Sequence, residues 1–133
     1  MDRELLSAVL GRRVWPRSLA PALLRGYRRS AVKGASYPLV LRQRGAAVAG
    51  VILEGVGAVE RARLSAYEGD GYELVEALAE LPRRDLRCVL LFRPKPGAYG
   101  VSARQWHLAG WRLRHKCSVM KALAVRREER RQR

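Results

Sequence analysis

Glu68 is the residue of this chain whose neighbours best suit it to moving a proton. It stands in the run Arg63-Leu64-Ser65-Ala66-Tyr67-Glu68-Gly69-Asp70-Gly71-Tyr72. Helical spacing from Val59 through Ala62, Arg63 and Tyr67 meets two closely spaced glycines, which predicts that Glu68 sits on the last turn of a helix. Beyond the glycines, Tyr72, Leu74, Glu76 and Leu78 alternate with Glu73, Val75 and Ala77, the pattern of a strand. A carboxylate at such a corner, between Tyr67 and Tyr72, loses part of its hydration, and desolvation favours its protonated form. The partial negative charge at a helix C-terminus works in the same direction. The chemistry to expect is general acid/base catalysis, in which one group takes and returns a proton. The alternative is a solvated carboxylate in a polar turn.

Other candidates carry less. Glu54 lies in an apolar run but falls on its outward side by alternation, and Asp70 fits a turn; close to Glu68 its charge would raise that residue's proton affinity further. Tyr37 and Tyr72 suit the apolar walls of a small-molecule pocket. His107 and His115 have no Ser or Cys nucleophile pattern beside them, and no phosphate loop, nucleophile elbow or metal motif appears. Cys88 and Cys117 lack disulfide-framework or zinc spacing and are expected to pack as small core hydrophobes. No metal and no cofactor are expected.

The elements that must position these residues come from a chain of 133 residues, 48% apolar, enough for one domain with its own core. No apolar run reaches bilayer length, and the start Met-Asp-Arg-Glu-Leu-Leu has no signal-peptide pattern, so the expected location is cytoplasmic, away from membranes. The net charge of +15 is the usual footprint of a nucleic-acid binder. The arginines are scattered, however, and the dense block from residue 126 to 133 includes Glu128 and Glu129 and no aromatic on which a base would stack. Basicity alone supports only salt-sensitive binding, so nucleic acid is not the expected partner.

In chain order, Glu4 to Leu10 is predicted to be a short helix stopped by Gly11. Leu19 to Val32 reads as two strand pieces with a bend or bulge near Gly26, followed by a turn from Gly34 to Pro38. Leu39 to Leu41 is a brief strand, Arg42 to Gly45 a turn, and Val48 to Val56 the clearest strand. After the Glu68 helix, Tyr72 to Ala79 and Leu86 to Phe92 form a hairpin across the Pro82 to Asp85 turn. Pro94 to Gly100 is a loop. A long helix is predicted from Ala103, capped by Ser102, with Trp106, Gly110, Leu113, Cys117, Met120 and Ala124 along one stripe. Residues 1–125 form the folded domain and 126–133 a basic, frayed tail. The order predicts an α+β fold with a mostly antiparallel, strongly curved sheet.

Four blocks, Arg25-Gly26-Tyr27-Arg28, Gly34-Ala35-Ser36-Tyr37-Pro38, Val48 to Gly55, and Arg63 to Gly69 with Tyr72, resemble successive blocks of the γ-glutamylcyclotransferase-like family. That family takes in γ-glutamylamine cyclotransferases and avirulence-induced-gene-like proteins. Trp106, Trp111 and His115-Lys116 are similar to the end of bacterial members. The resemblance implies a small β-barrel with flanking helices and a cavity at one end. It also implies a reaction: the α-amine of a γ-glutamyl amide attacks the γ-carbonyl, giving 5-oxoproline and a free amine. It assigns the acid/base role to Glu68, with no metal or cofactor; substrate binding is expected at Tyr37, Tyr72 and Gly34.

This sequence departs from the family at two places. Members begin with a strand running into a Tyr-Gly-Ser/Thr-Leu loop that has no counterpart here, and Ser65 stands where Asp is common. Without that strand, the sheet is expected to keep an unpaired edge that invites self-association. The expected function is γ-glutamyl cyclotransfer. The rival expectations are an inactive relative that binds a small molecule or protein and, less favoured, a nucleic-acid-associated protein.

Overall fold

The computed structural model describes residues 1–133, the side chain of Ala103 excepted. Helix α1 spans Arg3–Leu10. Asp2 opens it by accepting from the backbone N–H of Glu4 at 3.0 Å and of Leu5 at 3.3 Å, so two of the helix's orphan donors are satisfied by one carboxylate. Gly11 closes it. Leu6 and Leu10 project from α1 with Val14 into a core cluster that also takes in Leu19, Leu53 and Leu64. Each such leucine contributes about 1.5–3 kcal/mol by leaving water.

Strands β1 (Leu19–Val32) and β2 (Pro38–Leu53) form a long antiparallel pair. The pairing slips between Arg25 and Tyr27, where Gly26 takes φ +80°. A left-handed residue at that point lets the ladder resume after a bulge and bends the sheet. The expected bulge near Gly26 is therefore present. The expected turn at Arg42 to Gly45 is not: these residues continue β2 as the longer side of the same bulge, because a local bend there does not reverse the chain.

Helix α2 spans Ala58–Glu68, and the expected hairpin of β3 (Tyr72–Glu80) and β4 (Leu86–Pro94) follows, with Tyr72 opposite Pro94 and Glu80 opposite Leu86. Strand β5 (Val101–Gln105) pairs with β1, Ser30 opposite Gln105 and Val32 opposite Val101. This corrects the helix expected from Ala103: the free edge of β1 supplies hydrogen bonds that an isolated helical turn lacks. The C-terminal helix is also broken in two, α3 (Leu108–Arg114) and α4 (Lys116–Arg131), by His115 at φ −125°.

The helix thus begins later than expected, and it is interrupted after one short segment. Trp111 is buried, whereas Leu113 and Cys117, expected on the inward stripe, are exposed. Cys88 is exposed as well, opposite Leu78 on the hairpin. Neither cysteine packs in the core as expected. Helix α4 runs on through the arginines and glutamates of the expected tail, which are good helix formers.

The fold is thus α+β with an all-antiparallel five-stranded sheet in the order β2-β1-β3-β4, β5 joining β1. β2 and β4 approach each other, and an ion pair joins Glu54 to Arg87. No ladder closes the gap among the described residues, so the sheet is strongly curved but open.

Candidate active site

Leu64 and Glu68 are four residues apart on α2 and so share one face of the helix. The contact that packs Leu64 against α1 therefore also aims Glu68 inward. Arg12 pairs with Glu60, and Arg63 donates to the carbonyl of Leu10, so the α1–α2 corner that sets this direction is tied at its surface as well. Just past Glu68, Gly69 adopts φ +85° and ψ −178°, a conformation essentially reserved for glycine. The chain turns there into β3, with Tyr72 N–H on the carbonyl of Gly69 at 3.3 Å.

Glu68 lines an open cavity of about 440 Å³ with Arg61, Leu64, Val48, Leu91 and Phe92 among the other wall residues. The walls are otherwise almost wholly apolar, and burial pushes the Glu68 carboxyl up to about 7, against a smaller downward pull from the amino group of Met1. A group with that affinity exists in both protonation states near neutrality, as an acid/base catalyst requires.

The tyrosines are not among the residues that line this cavity, but Tyr72 and Tyr99 lie close enough to feel the charge of Glu68. Tyr72 and Tyr99 have ring centroids 5.2 Å apart, and Tyr37 meets Tyr99 edge to face at 6.1 Å. Burial raises the Tyr72 hydroxyl's pKa, and the charge of Glu68 and the other tyrosines adds to this, so the phenol stays a neutral hydrogen-bond donor. Tyr99 and Tyr67 are raised for the same first reason, with the Glu68 charge contributing to both. Tyr99 lies against Gly71: a Cβ there would stand 2.7 Å from its ring. The Tyr37 loop is held by Trp106, whose indole N–H donates to the carbonyl of Ser36 at 2.8 Å.

The structure thus brings Tyr72, Tyr99 and Glu68 together, with Tyr37 behind Tyr99. Gly34 lies in the exposed turn between β1 and β2 that also carries Tyr37, and the neighbouring Lys33 N–H donates to the carbonyl of Gly100, next to Tyr99, at 3.0 Å. Glu54 is exposed and paired with Arg87, and Asp70 is exposed in the turn. Tyr99 is a site residue that the sequence reading missed. Its only signal was an aromatic side chain in a Pro/Gly loop, and its contacts are with residues far away in the chain. Among the described residues, no group of His, Cys, Asp and Glu side chains is arranged to hold a metal ion.

A carboxyl tuned near neutrality, at the end of a helix and inside the mouth of a curved antiparallel sheet, defines a small α+β domain with a one-carboxylate site. The chain belongs to the family described as gamma-glutamyl cyclotransferase, AIG2-like, whose model matches residues 2–112. Two solution structures of Arabidopsis thaliana proteins are similar to it. At3g28950.1 matches with a TM-score of 0.64 and 21% identity over 98% of this chain and 78% of that one. At5g39720.1 matches with a TM-score of 0.62 and 25% identity over 91% and 80%. No curated protein matches the chain.

Proposed function

We propose that this protein cyclises a γ-glutamyl amide to 5-oxoproline and releases an amine, an acyl transfer within the substrate, with Glu68 as general base and then general acid. The observation that carries this reading is the half-buried Glu68 carboxyl, its pKa raised to about 7, in a mostly apolar cavity, in a chain of this family. As carboxylate, Glu68 accepts a proton from the substrate's α-amine. The amine nitrogen forms a bond to the γ-carbonyl carbon, closing a five-membered ring. The bond from that carbon to the leaving nitrogen then breaks, and Glu68 returns the proton to the departing amine. The sum is γ-glutamyl amide to 5-oxoproline plus amine, with no water consumed.

Tyr72 and Tyr37, with Tyr99 between them, are assigned as walls that fold the substrate toward the cyclising conformer, and intramolecular geometry of this kind supplies several kcal/mol of a barrier. Gly34 is assigned to the substrate side of the rim. The partner is a small γ-glutamyl compound. Among the described residues no helix is long and apolar enough to cross a membrane, and a cytoplasmic site of action is part of the same proposal. Incubation with a panel of γ-glutamyl amines should yield 5-oxoproline and amine in equal amounts. Ligand binding without release from any of them would favour the second reading, a binding module, which the open sheet between β2 and β4 supports.

A further inference from the structure

Arg29 is a half-buried cation that the chemistry above leaves unused. Six basic side chains of this protein, Arg12, Arg25, Arg87, Arg93, Arg112 and Lys116, stand in ion pairs; among the described residues Arg29 has no acidic partner. It donates to the carbonyl of Ala49 at 3.0 Å, and its guanidinium lies 5.4 Å from the centre of the Trp106 ring. One N–H is thereby occupied, leaving the other donors of a rigid fork uncommitted. Burial lowers its pKa, the mark of a charge that has lost water without gaining a counter-ion.

Its position in the sheet puts it on the side that faces the site. Arg29 is directly opposite Val40 in the β1–β2 ladder, and opposed residues of an antiparallel pair project on the same side of the sheet. Val40 lines the same cavity as Glu68. The charge of Arg29 also reaches the amino group of Met1, a residue that lines that cavity and whose amino group feels the charge of Glu68 as well. Trp106, on which Arg29 stacks, is the residue that holds the Tyr37 loop.

We infer that Arg29 is the carboxylate-binding residue of this site and restricts it to ligands that carry an anionic group beside the reacting amine. The inference rests on the cyclotransferase reading. A γ-glutamyl group carries its carboxylate on the same carbon as the attacking amine, so a carboxylate held by the guanidinium fork fixes where that amine stands relative to Glu68. Planar bidentate recognition of this kind is what arginine provides and lysine does not.

The test compares binding of two lactams, 5-oxoproline and 2-pyrrolidinone, which share a ring and differ in the carboxylate. Titration of the full chain should show about a tenfold to hundredfold preference for 5-oxoproline. Arg29→Met should abolish the preference and leave 2-pyrrolidinone binding unchanged, which also reports an intact fold; Arg29→Lys should restore part of it. Persistence of the preference in Arg29→Met would overturn the role of Arg29 and leave the cyclotransferase reading standing. Equal affinities in the unmodified protein, or loss of both ligands in Arg29→Met, would likewise overturn the inference, the latter because Arg29 would then be holding the fold. An unmodified protein that takes neither lactam would overturn both.

Discussion

The affinity of Glu68 for its proton has a consequence for stability as well as for chemistry. Its carboxyl is raised from an ordinary value of 4.5 to about 7, so the folded chain binds a proton that the unfolded chain releases across that interval. Stability therefore falls as pH rises from about 4.5 to about 7, by roughly 3 kcal/mol, and is level above it. Glu68→Gln has no proton to lose there, so its melting temperature should not show this decline; parallel declines in both proteins would mean that Glu68 is not the source. Activity has the opposite slope, since the base must be ionised, and should rise through pH 7. Tyr99 gives a second residue-scale prediction. Gly71→Ala drives a Cβ into its ring, so it should raise KM several-fold while the far-ultraviolet spectrum is unchanged. Glu68 was legible in the sequence because all that shapes it locally, the helix end, the glycines and the flanking tyrosines, is contiguous. Arg29 and Tyr99 were not, because what marks them is an absent counter-ion in one case and tyrosines distant in sequence in the other.

At the scale of elements, two joints hold the site. One is the corner after α2, where Gly69 adopts a conformation that costs other residues on the order of 1–3 kcal/mol. Gly69→Ala should lower the urea midpoint accordingly, and an unchanged midpoint would show that the corner relaxes. The other is Asp2, 3% exposed, which caps α1 and receives hydrogen bonds from Arg112 on α3 and Lys116 on α4. Burial alone would raise its carboxyl, but those bonds overcome it and hold the pKa below the usual range. Its stabilisation is thus complete above the unfolded value of 3.8 and lost as pH falls through the folded one. Asp2→Ala should cost about 2 kcal/mol at neutral pH, read from urea unfolding, and less in acid. Helix α1, helix α2 and the β3–β4 hairpin were legible because their periodicities and stops are local. The strand at Val101–Gln105 was not, since only pairing with β1 makes it one, and the inward stripe drawn through Leu113 and Cys117 assumed a single helix from Ala103, where the chain has a strand, a later helix start and a break at His115.

The molecule as a whole combines an open sheet with a charge of +15. Most of its arginines have no acid to pair with, and mutual repulsion opposes the compact state. Added salt screens this over about 10 Å at 0.1 M, so the melting temperature should rise from low salt to 0.5 M sodium chloride; a fall would mean that the surface ion pairs outweigh the repulsion. The α+β architecture and the curvature were legible from element order and glycine placement. The sequence predicts an unpaired sheet edge; that the gap falls between β2 and β4 is visible only in three dimensions, because it depends on how far the sheet's curl brings its two ends together.

The central claim, that Glu68 carries a proton between two nitrogens of one γ-glutamyl amide, is tested most directly by measuring 5-oxoproline release from the unmodified chain and from Glu68→Gln at pH 8. Release by the former and a loss of about 10²-fold or more in the latter is the expected result. Equal release from both would contradict it.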